Sequence, residues 1–325
     1  MYALPGLRLA VGADEAPLLG EVDRVLSVFA DGDARADAVL NLSTIKNGEL
    51  PSPEPEAQLT WQGVRPNGLF SRYWSNGSLR QMDLANVACA CVDLSDGRAE
   101  IAVRPESAWA VVFGCLTPVL GMLLQPRGRH MLHGATVAFP SPPHRSALIV
   151  GASGAGKSTT ALACASAGLR LLADDSSVLS VGENGCELWG LPRPCKVHRR
   201  TMELCPHLAS LPSEPVPGCE NERAVELRHI SPPSAAVTRP EVVIVLQQRN
   251  DLRHRLTPLA PVEALTCLLR GNLRTAADPR AAGPGGKVFA ALAELTRRTR
   301  CYSLSASSDM PSLGRLVRGT LERAV

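Results

Sequence analysis

The residues best suited to chemistry form a glycine-rich segment at positions 151–158, which reads GASGAGKS. It matches the pattern G-x-x-x-x-G-K-[ST] of phosphate-binding loops. Glycines let the backbone curl closely around a phosphate, and the amides at the start of the following helix present partial positive charge to it. Lys157 adds a full charge, and the Ser158 hydroxyl is suited to Mg²⁺. The segment therefore predicts a site for a magnesium nucleotide.

The flanking residues supply the elements that must position this loop. An apolar strand at 147–150 precedes it and a helix at 158–167 follows it, which is the context that the pattern requires and that a chance Gly/Ser-rich turn lacks. The residues predicted to surround the phosphates are Gly151, Ser153, Gly154, Ala155, Gly156, Lys157, Ser158 and Thr159.

Asp174 and Asp175 form the second candidate group. They lie 17 positions past Lys157 (174 minus 157), which leaves room for a short helix and a strand returning beside the loop. One carboxylate there can hold Mg²⁺ and the other can accept a proton from an attacking hydroxyl. A turn with helix-capping carboxylates is the plain structural alternative. Both can serve one site only if the strand ends at the pair, which the turn-prone Ser176-Ser177 favours.

The order of these motifs resembles the catalytic domain of HPr kinase/phosphorylase and its relatives, whose fold is shared with phosphoenolpyruvate carboxykinase. The matching stretches are Leu132-His133-Gly134, residues 151–158 and residues 171–175, which read LLADD. Residues 191–196, LPRPCK, resemble a segment of HPr-kinase-like proteins found with peptide-modifying systems, such as lasso-peptide kinases. The resemblance covers 130–200 well and 240–310 loosely.

The resemblance implies a serine kinase that uses ATP and Mg²⁺. It implies that Asp174 holds the metal together with Ser158 and that Asp175 is the catalytic base. It also places His133 beside the two carboxylates and the transferred phosphoryl group, whereas spacing alone favours a core histidine in a strand. Bacterial HPr kinases carry Glu where this chain has Thr159, which disfavours HPr itself as the acceptor.

The basic segment after the Asp pair is the candidate substrate contact. Arg193 and Lys196 are predicted to bind the γ-phosphate or an acidic substrate, and the neighbouring prolines stiffen their backbone. A zinc site built from Cys195, His198, Cys205 and His207 is an open alternative, although its spacing fits no zinc-finger pattern well.

Turn signals divide the rest of the chain. Short strands between 57 and 103, separated by Pro66-Asn67-Gly68, Asn76-Gly77 and Asp96-Gly97, predict an antiparallel sheet with helices packed on it. The fold class is therefore α/β, with a β-rich α+β accessory domain at 1–125, a candidate for substrate recognition. An HPr-kinase/PEP-carboxykinase-like P-loop catalytic domain follows at 126–325. Residues 210–240, rich in Pro, Ser and Glu, predict a mobile loop.

An apolar run at 108–124 is interrupted by Gly114, Pro118 and Gly121 and is short of the ~20 residues that a membrane span needs. It predicts a buried helical pair, with Thr117 capping the second helix.

Composition bounds the function classes. A net charge of +3 over 325 residues indicates no nucleic-acid partner. Ten scattered cysteines without a secretory leader predict a cytoplasmic protein with reduced thiols and no membrane association. The expected activity is phosphorylation of a serine-type hydroxyl on a peptide or protein, with a ribosomal peptide precursor as one such acceptor. Two rivals stay open, a small-metabolite kinase and a non-catalytic ATP-binding regulator, and so does a homo-oligomeric state.

Overall fold

The structure is a computed structural model that describes residues 1–32, 35–64, 69–142, 144–247, 253–272 and 286–324. The chain is a mixed α/β protein with several sheets. It divides into two compact units, one of Met1–Arg129 with Pro217–Cys219 and one of His130–Val216 with Glu220–Val325. Their assignment as accessory and catalytic domains stays a prediction.

The first unit contains one eight-stranded sheet of order β1-β2-β3-β8-β7-β6-β5-β4. Its strands are β1 (Tyr2–Leu4), β2 (Leu7–Ala13), β3 (Ala38–Thr44), β4 (Gln58–Val64), β5 (Phe70–Asn76), β6 (Leu79–Leu84), β7 (Ala88–Asp93) and β8 (Arg98–Val103). Its helices are α1 (Ala16–Leu26) and α2 (Leu116–Leu124).

The antiparallel prediction for residues 57–103 is correct, because β4 to β8 pair antiparallel, whereas the sheet as a whole is mixed. β3 pairs in parallel with both β2 and β8, because the chain crosses back through α1 before it enters β3. The Asn76-Gly77 turn joins β5 to β6 as predicted. The predicted Pro66-Asn67-Gly68 turn lies outside the described residues.

The apolar run at 108–124 forms one continuous helical segment. A π-helical turn at Val111–Cys115 runs directly into α2, so Thr117 lies inside the helix and the predicted cap at this residue is wrong. The widened turn lies just before Pro118, whose ring would clash with a regular preceding turn. Among the described residues, no helix is long and apolar enough to cross a membrane.

The second unit carries the remaining elements. Its strands, counted from the end of the first unit, are β9 (Arg129–His133), β10 (Ala135–Ala138), β11 (Arg145–Gly151), β12 (Arg170–Ala173), β13 (Ser176–Gly182), β14 (Gly185–Gly190), β15 (Cys195–His198), β16 (Ser213–Val216), β17 (Cys219–Val225), β18 (Arg239–Leu246), β19 (Arg255–Pro258) and β20 (Arg300–Ser305). Its helices are α3 (Lys157–Ser166), α4 (Arg199–Leu204), α5 (Leu227–Ile230), α6 (Pro261–Asn272), α7 (Lys287–Arg298) and α8 (Met310–Glu322).

A six-stranded sheet of order β12-β10-β11-β18-β20-β19 forms the centre of this unit, and β11, β18 and β20 run parallel. Successive residues of β11 bury against opposite layers. Ile149 packs in a core with α3 and α8, whereas Leu148 packs in a second core with α6 and α7. Each fully buried side chain of this kind contributes about 1.5–3 kcal/mol. The sandwiched strand thus holds the glycine-rich loop at its carboxyl end.

Two further predictions in this unit are corrected. The apolar pattern at 131–139 predicts a single strand, whereas the structure has two strands in different sheets there, divided at Gly134. A Cβ at Gly134 would lie 3.1 Å from the carbonyl oxygen of Ile149, so the backbone passes close to β11 where the chain changes sheets. The segment expected to be a mobile loop instead forms the β16–β17 hairpin and α5. Two small sheets, β14-β13-β9 and β15-β17-β16, complete the unit.

Candidate functional site

The loop between β11 and α3 needs its glycines for geometric reasons. Gly154 and Gly156 have φ angles of 78° and 97°, in the left-handed region that other residues rarely adopt. A Cβ at Gly151 would approach the Cβ atoms of Leu246 and Ala155 to 3.1 and 3.3 Å. Substitution at these positions would therefore change the shape of the loop.

Lys157 folds back over its own loop. Its Nζ donates to the carbonyl oxygens of Gly151 (3.0 Å) and Ala152 (3.2 Å), and the residue is buried. Burial lowers the pKa of Lys157, and the nearby carboxylates of Asp175 and Asp174 oppose that shift. The cation is thus held beside both carboxylates by neutral carbonyls alone.

The other loop residues differ in solvent exposure and in their hydrogen bonds. Ser153 and Gly154 are exposed, whereas the Ala155 N–H donates to the Ala152 carbonyl within the loop (3.2 Å). The Thr159 hydroxyl is buried and shares a 2.9 Å hydrogen bond with Thr201. Phosphate contacts by these residues stay predictions.

The Asp pair lies where its strand ends, as predicted. β12 ends at Ala173, and Asp174 and Asp175 occupy a bend before β13. The expected turn at Ser176-Ser177 is wrong, because these residues begin β13. The bend frees the two side chains from strand alternation, so both can serve one site, although Asp174 is buried and Asp175 is only partly so.

Asp174 is the buried member of the pair. Its Oδ1 atom is inaccessible to solvent and has no hydrogen-bond partner within the described part of the chain, and the Ser158 hydroxyl lies close enough to favour the ionised carboxylate. Burial, followed by repulsion from Asp175, raises the pKa of Asp174 from 3.8 to about 7. An unsatisfied buried carboxylate oxygen beside a serine hydroxyl fits the oxygen ligands that Mg²⁺ prefers.

Asp175 is the accessible member, with 38% of its side chain exposed. Its Oδ1 accepts from Arg193 Nη1 (3.1 Å) and from the Ser176 hydroxyl. Burial opposes ionisation, but Arg193, His133, Ser176 and Lys196 together hold the pKa of Asp175 well below its usual range. The carboxylate is therefore anionic at neutral pH.

His133 ends β9 directly beside this pair. The Gly134 N–H donates to the Asp175 carbonyl oxygen at 3.2 Å, and the His133 ring lies close enough to Asp175 for its charge to be affected. Burial lowers the pKa of His133, and the Asp175 carboxylate only partly offsets it. Because the usual value is about 6.5, the neutral imidazole predominates at pH 7.

The basic segment is also brought to Asp175. The Leu191 N–H donates to the Ser176 carbonyl (3.0 Å), which anchors the residues leading to Arg193. Arg193 Nη1 contacts the Ser176 hydroxyl as well as Asp175, and its buried Nε has no partner among the described residues. Lys196 acts on Asp175 by charge. Ser176 is the contact that sequence reasoning missed, because it was interpreted only as a turn former.

The four candidate zinc ligands, Cys195, His198, Cys205 and His207, do not form a metal site in the described part of the chain. Within the described ranges, no group of three or more His, Cys, Asp or Glu side chains could hold a metal ion. Cys195 and Cys205 are buried, the His198 ring accepts the Arg200 N–H, and the His207 ring contacts the Ser166 hydroxyl.

Asp174→Asn is expected to stabilise the unliganded protein at pH 8. The folded pKa of about 7 exceeds the unfolded value, so the folded state binds more protons and the free energy of unfolding falls as pH rises from about 4 to 7. A neutral amide removes this buried charge, and Tm at pH 8 should rise by about 2–4 °C. Thermal unfolding at pH 8 and pH 5 measures the effect, which should shrink at pH 5.

Asp175→Asn is the matched control, because it should lower Tm by leaving Arg193 with a neutral partner. A Tm for Asp174→Asn that is unchanged or lower at pH 8 would contradict the expectation.

No protein-family model matches the chain, and no curated protein matches it.

Proposed function

We propose that this chain is a magnesium-dependent kinase of the HPr-kinase type, which transfers the γ-phosphoryl group of ATP to a serine-type hydroxyl of a peptide or protein. The observation that carries the proposal is the division within the Asp pair. Asp174 keeps a buried, unsatisfied oxygen beside Ser158, whereas Asp175 is partly exposed and ionised. On this proposal, residues 126–325 are the P-loop catalytic domain of a cytoplasmic enzyme, and residues 1–125 recognise the acceptor.

The donor side is built from the loop and Asp174. Asp174 and Ser158 would hold Mg²⁺, which when bound neutralises charge on the β- and γ-phosphates. Lys157 offers a second positive charge from a buried position, where screening by water is weak. Its present partners are neutral carbonyls, so exchanging them for phosphate oxygens breaks no ion pair.

The acceptor side is built around Asp175. Arg193 and Ser176 engage Oδ1 and fix the carboxylate, which leaves Oδ2 to accept a hydrogen bond from the acceptor hydroxyl. In the loose transition state of phosphoryl transfer, positioning and charge stabilisation supply most of the catalysis. A strongly acidic carboxylate suits that role, because it orients the hydroxyl and takes its proton late.

The rival functions differ in what happens to ATP. A regulator that only binds nucleotide needs no ionised carboxylate open to an acceptor, and the exposure of Asp175 favours transfer. Conversion of ATP to ADP is measured without acceptor, with free serine or a sugar, and with serine-containing peptides. Peptide-dependent turnover with one phosphate added per peptide supports the proposal. Turnover only with free serine or a sugar would indicate a small-metabolite kinase. ATP binding without turnover would indicate a non-catalytic regulator.

The double variant Arg193→Gln/Lys196→Gln is expected to lower kcat/KM for the acceptor by about 10- to 100-fold, because both cations act on Asp175. The matched control is Arg199→Gln/Arg200→Gln, which removes the same charge from two exposed residues. It should change kcat/KM by no more than about twofold. Steady-state kinetics of both double variants test this prediction. Equal losses of kcat/KM in the two would show that Arg193 and Lys196 have no specific role in the site.

A further inference from the structure

One buried amide connects α6 to the candidate site. Asn272, the last residue of α6, is 4% exposed, and its Oδ1 accepts the His133 N–H at 2.7 Å. Its Nδ2 donates to the Leu268 carbonyl one turn earlier, at 2.8 Å. Because one partner is a backbone donor and the other a backbone acceptor, the orientation of the amide is fixed.

The connection continues from His133 to the Asp pair. The Gly134 N–H donates to the Asp175 carbonyl at 3.2 Å, and the Ser177 hydroxyl donates to the Gly134 carbonyl at 2.8 Å. The segment 133–134 therefore lies between Asn272 and Asp175, with hydrogen bonds to each. Gly134 also packs tightly against β11, where a Cβ would lie 3.1 Å from the Ile149 carbonyl oxygen, which leaves this segment little room to shift.

We propose that Asn272 is a positioning residue for Asp175, acting through the backbone of His133 and Gly134. The inference rests on the proposed function, since Asp175 is the group that receives the acceptor hydroxyl there. Loss of the Asn272 oxygen leaves a buried N–H without an acceptor, which is costly enough for the segment to rearrange. A displacement of about 1 Å at a catalytic group can cost on the order of 10²-fold in rate.

The test distinguishes the hydrogen bond of the Asn272 oxygen from that of its nitrogen. Asn272→Ala should lower kcat for peptide phosphorylation by about 10-fold or more, with KM for MgATP within about twofold, because the loop contacts are untouched. Hydrogen–deuterium exchange at the amides of residues 133 and 134 should accelerate by about 10-fold. Asn272→Asp keeps an oxygen for His133 but loses the donor to Leu268, and it should restore exchange protection and most of kcat.

Thr266→Ala is the matched control, because its hydroxyl bonds a carbonyl of the same helix and is exposed. It should change neither readout. Unchanged exchange at residues 133 and 134 in Asn272→Ala would overturn the proposal. So would failure of Asn272→Asp to restore protection, which would mean that the amide serves only to cap α6. Exchange needs no turnover, so an absence of kinase activity would defeat the proposed function and leave the positioning role to be decided by exchange.

Discussion

Asp175→Asn is expected to lower the single-turnover rate of phosphoryl transfer by at least about 10³-fold while MgATP affinity stays within about threefold. The amide keeps the shape of the carboxylate but cannot accept the hydroxyl proton. Asp175 contributes no atom to the loop that would hold the nucleotide, so binding should survive. Quenched-flow transfer and calorimetric MgATP binding are measured on the same preparation.

Glu203→Gln is the control for this result, since it removes one negative charge from an exposed ion pair in the same unit. Its transfer rate and affinity should match those of the unsubstituted protein. If Asp175→Asn transfers phosphate at the original rate, the proton acceptor lies elsewhere and the roles within the Asp pair are wrong.

Lys157→Ala is expected to reduce transfer by about 10²–10³-fold and to weaken MgATP binding markedly. Within the described residues, the Nζ atom donates to two carbonyls of its own loop, so its loss should leave the fold and the thermal transition nearly unchanged. Isothermal calorimetry gives the affinity, and ADP formation gives the rate. The matched control is Lys287→Ala, an exposed lysine at the start of α7, which should alter neither quantity. Undiminished affinity together with full turnover in Lys157→Ala would refute nucleotide binding by this loop.

Local patterns in the sequence predict local elements well. The short strands predicted between 57 and 103 and the Asn76-Gly77 turn correspond to β4 to β8 and to the β5–β6 hairpin, and the structure confirms both. Strand periodicity and turn chemistry act over a few residues, so they can be recognised without knowledge of the rest of the fold.

The features that the sequence did not predict depend on the course of the packed backbone. The parallel pairing of β3 with β8 joins residues about sixty positions apart, and nothing local in either strand specifies it. The end of β9 at His133 is set by the close approach of β11 to Gly134. Thr117 has the type of a helix cap, but a π-helical turn continues the backbone past it.

For the candidate site, the sequence by itself determined the residue types and the local frame. A glycine-rich loop between a strand and a helix, two adjacent carboxylates and a basic segment are all readable from their order. The sequence alone could not determine which carboxylate is buried or what each one contacts. The tertiary structure buries Asp174 with an unsatisfied oxygen and pairs Asp175 with Arg193.

Tertiary structure also decided the contact of longest range, in which Asn272 meets His133 across 139 positions of the chain. The pKa of a carboxylate and the alignment of a hydrogen bond depend on desolvation and on neighbours supplied by other elements. These quantities come into existence only when the sheet and its helices have packed, and that is why residue order identifies the groups of this site but not their charge states or partners.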